Sequence, residues 1–181
     1  MMSPLFESLV KNSLTVLADE PDDSTAMVWS EAEAFAEMES SEKAIYKLDL
    51  IDKEVLLEDV EDLLTYEGFH KVKELWLDKN EFKDEGVEVL AQSSQIKNLM
   101  VLSLAHNKLS NYSAQALAAS PFLGHLQKLF LQSNRIGLEG LKALTESPVL
   151  ANLQLLYLNL NPVGPAGAGI LGGDSKIKNL R

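Results

Sequence analysis

Hydrophobic and polar positions follow a fixed order that returns every 27 residues. The order first occurs at 72–80. It consists of an apolar residue, two variable residues, Leu, one variable residue, Leu, two variable residues and Asn. The same nine-residue pattern returns at 99–107, 126–134 and 153–161. The four copies end on Asn80, Asn107, Asn134 and Asn161. A period in the twenties predicts a solenoid of stacked structural units.

Each copy predicts one short strand followed by one helix. Leu75 and Leu77 are two residues apart, so their side chains point to the same face of a strand. A helix is expected over roughly 84–92, with Val87, Leu90 and Ala91 as its apolar stripe. The asparagine that ends the strand can donate to and accept from backbone groups of the turn and of the neighbouring unit when it is buried.

A degenerate copy precedes these four. Its apolar columns contain Ile45, Leu48, Leu50, Val55, Leu63 and Phe69. Lys53 stands in place of the asparagine, and Asp59 in place of a glycine. The pattern therefore predicts about five repeats in one cooperative unit over 41–181, the first being atypical as terminal repeats are.

The strand motif and the tail over 134–144 resemble the leucine-rich repeat family, and specifically its ribonuclease-inhibitor-like subfamily. The resemblance covers roughly residues 45–180. It implies an α/β solenoid with a curved parallel sheet inside and helices outside. It also implies that recognition of another protein is the default role.

Residues 1–40 do not fit the repeat and are predicted to form an N-terminal helical cap over it. Ser3-Pro4 is a good helix start, and an apolar stripe is expected to run along one helix as far as Leu14 and Leu17. Pro21 to Ser24 would separate it from a second helix. The alternative is a separate docking module.

In this architecture the residues between the two strand leucines face the concave surface, and three of them are large aromatic residues. Strands lie about 4.8 Å apart, so Phe130 and Tyr157 are expected to touch and Trp76 to lie roughly 10 Å away. Such residues dominate many binding surfaces. The predicted partner-binding surface comprises Trp76, Phe130, Tyr157, Val101, Ala105 and Leu155, with a polar rim of Glu74, Asp78 and Lys128. The alternative is that the aromatics pack on one another, or under a folded-back terminus, for structure alone.

Charge is uneven along the chain. Residues 1–70 hold 18 acidic and 4 basic residues, net −14, and residues 71–181 hold 9 acidic and 12 basic residues, net +3, which sum to −11. The acidity of the first segment argues against nucleic acid as a partner, because phosphates would be repelled. It is typical of a solvated cap, with a basic partner at that end as the alternative.

Candidate chemistry is sparse, and we predict neither an enzyme nor a cofactor. The chain has no cysteine, and His70, His106 and His125 lack the spacing of metal ligands. Ser103, His106 and Asp78 could meet on the concave face, but no nucleophile elbow accompanies them. The first residues show no basic segment followed by a long apolar run, so a cytoplasmic protein without membrane contact is expected. Secretion by a non-classical route stays open.

Two alternative functions remain. Some members of the resembled subfamily regulate small GTPases, and Arg135 follows a strand at a place suited to that role. The chain could instead be a fragment of a longer solenoid or a self-associating unit. The last repeat is rich in glycine and proline, which weaken a helix, and its C-terminal edge has no obvious cap.

Overall fold

A computed structural model describes residues 4–17, 45–81 and 83–172. A six-stranded sheet follows chain order throughout. Its strands are β1 (Leu14–Leu17), β2 (Ile45–Asp49), β3 (Val72–Trp76), β4 (Val101–Ser103), β5 (Lys128–Phe130) and β6 (Leu155–Tyr157). β1 is antiparallel to β2, and every later pair is parallel. The predicted α/β solenoid with a mostly parallel sheet is confirmed.

Helices alternate with the strands. They are α1 (Pro4–Asn12), α2 (Leu57–Leu64), α3 (Lys83–Gln92), α4 (Asn111–Ala119), α5 (Leu138–Glu146) and α6 (Gly164–Gly172), and short 3-10 helices cover Glu67–Lys71, Ser94–Asn98 and Val149–Asn152. The helix expected near 84–92 is confirmed, and α6 forms despite the glycines of the last repeat. In the described ranges, no helix is long and apolar enough to cross a bilayer.

The hydrophobic core lies between the sheet and the helices. Leu75, Leu102 and Leu129 share one row of the sheet and are fully buried. The helices face them with Leu90, Leu117 and Leu144, which are also fully buried. Each such side chain contributes about 1.5–3 kcal/mol when it leaves water. The repeated leucines therefore account for the stacking of one unit on the next.

The predicted helical stripe through Leu14 and Leu17 is wrong in its second half. α1 ends at Asn12, and Leu14 and Leu17 lie on β1, opposite residues of β2. Thr15 and Val16 are β-branched, which favours a strand, and β2 would otherwise leave an unpaired edge. The second predicted cap helix lies outside the described residues, and the boundary at residue 40 stays a prediction.

Candidate functional site

The strand register brings one residue from each parallel strand into a single row on the concave face, the side of the sheet away from the helices. The row is Asp49, Trp76, Ser103, Phe130 and Tyr157. These residues point away from the core because each lies between two inward-facing apolar residues of its repeat. The concave face thus carries the three predicted aromatic residues in line.

Trp76, Phe130 and Tyr157 form a continuous aromatic stack. The ring centroids of Trp76 and Phe130 are 5.5 Å apart with planes inclined by 30°. Those of Phe130 and Tyr157 are 5.2 Å apart with planes inclined by 11°. The separation of roughly 10 Å expected for Trp76 is therefore wrong for the rings, because they lean toward each other over Ser103, which is short and only 1% exposed.

At the Trp76 end of the stack, polar groups are paired within the chain. Lys47 Nζ lies 3.0 Å from Asp49 Oδ2 and 4.8 Å from the centroid of the Trp76 ring. The indole Nε1 of Trp76 donates to Glu74 Oε2 at 3.2 Å. Exposed ion pairs and cation–π contacts of this kind contribute up to about 1 kcal/mol each. Glu74, predicted as a rim residue, thus accepts a hydrogen bond from a member of the stack.

Asp78, the second predicted acidic rim residue, bonds to the neighbouring strand. Its Oδ1 accepts a hydrogen bond from Ser103 Oγ and another from the backbone N of Ala105 at 2.8 Å. The carboxylate therefore joins two successive repeats at the end of β3. Oδ1 of Asp78 thus accepts two hydrogen bonds, and the one from Ser103 helps to hold this short side chain beneath the rings.

The other end of the stack is open. Tyr157 is 43% exposed, while Phe130 and Leu155 are half-buried. Lys128 is exposed and lies in register between Val101 and Leu155. Within the described ranges, the ion pairs are formed by other lysines, and Lys128 has no acidic partner. An unpaired cation on β5 and an exposed aromatic ring on β6 thus lie diagonally across the two strands.

The expectation that Val101 and Ala105 add to the exposed surface is wrong. Both are only 5% exposed. Val101 lies on a central strand, between the longer side chains of Glu74 and Lys128. Long side chains cover apolar neighbours with their stems, so Val101 supports the concave face without presenting contact area.

The asparagine that follows each strand joins its repeat to the preceding one. Asn80 Oδ1 accepts from the backbone N of Val55 at 2.9 Å, and Asn80 Nδ2 donates to Leu50 O at 2.9 Å. Bonds of the same kind recur in the later repeats, at Asn107, Asn134 and Asn161. A primary amide suits this place because it supplies a donor and an acceptor together. The asparagines therefore satisfy buried backbone groups of two turns at once.

Two of the repeats match a known protein family. The model of a family described as Leucine Rich repeat matches residues 70–91 and 125–144. Each match includes one strand and most of the helix after it, β3 with α3 and β5 with α5. The fold is that of a leucine-rich repeat solenoid. Such repeats generally mediate protein–protein interaction. No curated protein matches the sequence.

The leucine-rich repeats also carry capping bonds on the helix side, which the strand motif did not predict. Asp84 accepts hydrogen bonds from the backbone N of Ser110 at 2.8 Å and from the Ser110 hydroxyl at 2.6 Å. One repeat later, Asn111 Oδ1 accepts from the backbone N of Gly137 at 2.7 Å and of Gly140 at 3.1 Å. Each side chain thus caps the first turn of the next helix.

These capping bonds change the acidity of Asp84. Burial acts to raise its pKa, but hydrogen bonds from Ser110 and Ser113 outweigh burial and hold the pKa below its ordinary value. On the exposed surface, the hydrogen bond from Lys108 and its positive charge lower the pKa of Glu81. Both acids therefore stay ionised in mildly acidic solution.

Two further columns of the leucine-rich repeats bond to the previous unit. Ser147 Oγ donates to Ala118 O at 2.6 Å, and Asn98 Nδ2 donates to His70 O at 2.8 Å. The columns are Ser120 with Ser147, and Asn98, His125 and Asn152. The 27-residue spacing of these polar residues is the sequence signal from which these bonds could have been predicted. His125 lies in a turn, with its ring Nδ1 3.1 Å from Lys97 O.

Of the residues considered for other functions, Arg135 lies outside the concave row, whereas Ser103 lies within it. Arg135 is exposed in the turn after Asn134, and its backbone N donates to Leu109 O at 2.7 Å. Ser103 gives its hydroxyl hydrogen to Asp78, and His106 is exposed. In the part of the chain that the structure describes, no cluster of histidine and acidic residues could hold a metal ion.

Proposed function

We propose that the protein is a non-catalytic binding module that takes another protein on its concave face. The observation that carries the proposal is the aromatic stack, which ends on the exposed ring of Tyr157. Aromatic side chains bury about 150–250 Å² each when they are covered. A stack formed only to fill space would be covered at both ends. This one leaves Tyr157 and part of Phe130 open to solvent, together with part of the neighbouring Leu155.

Rigidity supports the same proposal. The rings are fixed by their contacts with one another, and the row beneath them is fixed by the hydrogen bonds of Asp78. Side chains that are already ordered lose little entropy on binding, so more of the contact energy appears as affinity. A pre-ordered aromatic row on a sheet is well suited to anchor a partner.

The test compares two exposed tyrosines on opposite sides of the sheet. Tyr157 is 43% exposed on the concave face, and Tyr112 is 74% exposed on α4. We expect Tyr157→Ala to abolish capture of a partner from a lysate of the source organism, and Tyr112→Ala to leave it intact. Proteins held by each variant would be quantified by mass spectrometry after circular dichroism has shown that both fold. Equal retention by both variants would locate binding elsewhere.

A second candidate function is self-association through the C-terminal edge. Leu160 is 77% exposed and Leu171 is 41% exposed, so the last repeat presents two apolar side chains to solvent. We expect Leu160→Ser with Leu171→Ser to remove any rise of the sedimentation coefficient with concentration. A wild-type chain whose coefficient does not change with concentration would rule this function out.

A further inference from the structure

We propose that the partner presents an acidic side chain close to an apolar one, the acid pairing with Lys128 and the apolar side chain packing on Phe130 and Tyr157. This inference rests on the proposed function and adds the chemistry of the partner. It also places the centre of binding on β5 and β6, not on the whole aromatic stack.

The two ends of the aromatic stack differ in whether their charged side chains are already paired. At the Trp76 end, Lys47, Asp49 and Glu74 already bond to one another or to the indole. A partner would have to break these contacts to bond there, which costs most of what it gains. At the Tyr157 end, Lys128 has no acidic partner within the described ranges and is exposed. A carboxylate can reach it without displacing another group.

The part of the chain that contains β5 and β6 carries a net positive charge. From residue 89 to residue 138 the chain contains no acidic residue. Residues 89–172 hold five basic and two acidic residues, a net charge of +3, although the whole chain carries −11. β5 lies three strands from β2, about 14 Å, which exceeds the screening length of about 8 Å in physiological salt. An anionic segment is therefore attracted to this end of the sheet, while the acidic residue of β2, Asp49, is screened from it.

Lys128 lies close to the two aromatic rings on β5 and β6. Lys128 and Phe130 lie two residues apart on one face of β5, and Leu155 and Tyr157 hold the matching positions on β6. Two residues of a strand span about 6.6 Å. An extended segment that carries an acid and an apolar residue on the same face has the same spacing. The recognition element is thus a cation and an aromatic ring that one short segment can contact together.

The test uses a phage-displayed library of random dodecapeptides, selected against the full chain. Peptides chosen by the wild type are expected to be enriched in Asp or Glu near an aromatic or aliphatic residue. Synthetic copies should bind Lys128→Glu about tenfold more weakly, since attraction becomes repulsion. The matched control is Lys142→Glu, which makes the same charge change on α5, where Lys142 lies near Glu139. It should leave affinity unchanged, and Lys128→Glu should itself select peptides rich in Lys or Arg.

The outcomes separate the two proposals. Peptides that need Tyr157 but show no acidic enrichment, and bind Lys128→Glu as well as wild type, would overturn this inference and leave the proposed function standing. Selection that yields no peptide sensitive to Tyr157→Ala would overturn the proposed function as well. A wild-type chain that associates with itself, and loses this association in Lys128→Glu, would make a second copy the occupant and would overturn the assignment to a separate partner.

Discussion

Trp76 and Phe130 stack at a centroid distance of 5.5 Å although β4 lies between their strands. Two strand spacings are about 9.6 Å, so both rings must lean inward. The residue between them is Ser103, which is almost fully buried and donates its hydroxyl hydrogen to Asp78. The aromatic stack therefore depends on a small residue at the centre of the row.

Replacing Ser103 by a large residue should separate the rings. Ser103→Phe places a third ring where the stack closes, and overpacking of this kind costs about 1–3 kcal/mol of stability. We expect acrylamide to quench Trp76 fluorescence more strongly in this variant, measured in a Trp29→Phe background that leaves one tryptophan. Ser103→Ala is the control and should keep the stack. Unchanged quenching in Ser103→Phe would show that the aromatic stack does not depend on a small residue at position 103.

The repeat pattern predicted the strands, the helix near 84–92 and the alignment of the aromatic residues, because all three depend on spacing alone. The distance between the Trp76 and Phe130 rings was not predictable in this way, since it depends on side-chain rotation over Ser103. The burial of Val101 depends on its longer neighbours on two other strands. Leu14 and Leu17 fit a helical stripe, and pairing with the distant edge of β2, favoured by the β-branched Thr15 and Val16, makes them a strand.

Removing an internal asparagine should destabilise the protein more than removing the last one. Asn134 is 7% exposed and bonds to backbone groups such as Leu104 O and the N of Asn107. Asn134→Ala leaves several buried groups unpaired and should cost about 3 kcal/mol or more. Asn161 is half-buried, so Asn161→Ala should cost about 1 kcal/mol. Urea unfolding would measure both variants, and equal losses would contradict the role assigned to burial.

Replacing Leu160 by glycine should stabilise the protein. The residue before each repeat asparagine, or before Lys53 in the first repeat, has a left-handed backbone, and in Leu160 φ is +60°. The column is Asp52, Lys79, His106, Ser133 and Leu160. A leucine in this conformation costs about 1–2 kcal/mol, which glycine avoids. Because the Leu160 side chain is 77% exposed, little packing is lost, and Leu160→Gly should gain about 1 kcal/mol in thermal or urea unfolding.

The control for this prediction is the same substitution at a helical position. Leu171 is also exposed, at 41%, and lies in α6. Leu171→Gly should lower stability by about 1 kcal/mol, since glycine is a poor helix former. Two variants that shift stability in the same direction would show that backbone conformation is not the cause.

Asp84 should make stability depend on pH in acid. Hydrogen bonds from Ser110 and Ser113 hold its pKa below the ordinary value of 3.8, which it regains on unfolding. A carboxyl group whose pKa is lowered by folding stabilises the protein above its unfolded pKa, and this contribution is lost as the pH falls through the folded pKa. Asp84→Asn keeps an acceptor oxygen, as Asn111 does in the next repeat, but does not titrate. We therefore expect its unfolding free energy to fall less than that of the wild type between pH 5 and pH 2.5. Glu85→Gln, an exposed change in the same helical turn, should follow the wild-type curve, and parallel curves for wild type and Asp84→Asn would contradict the prediction.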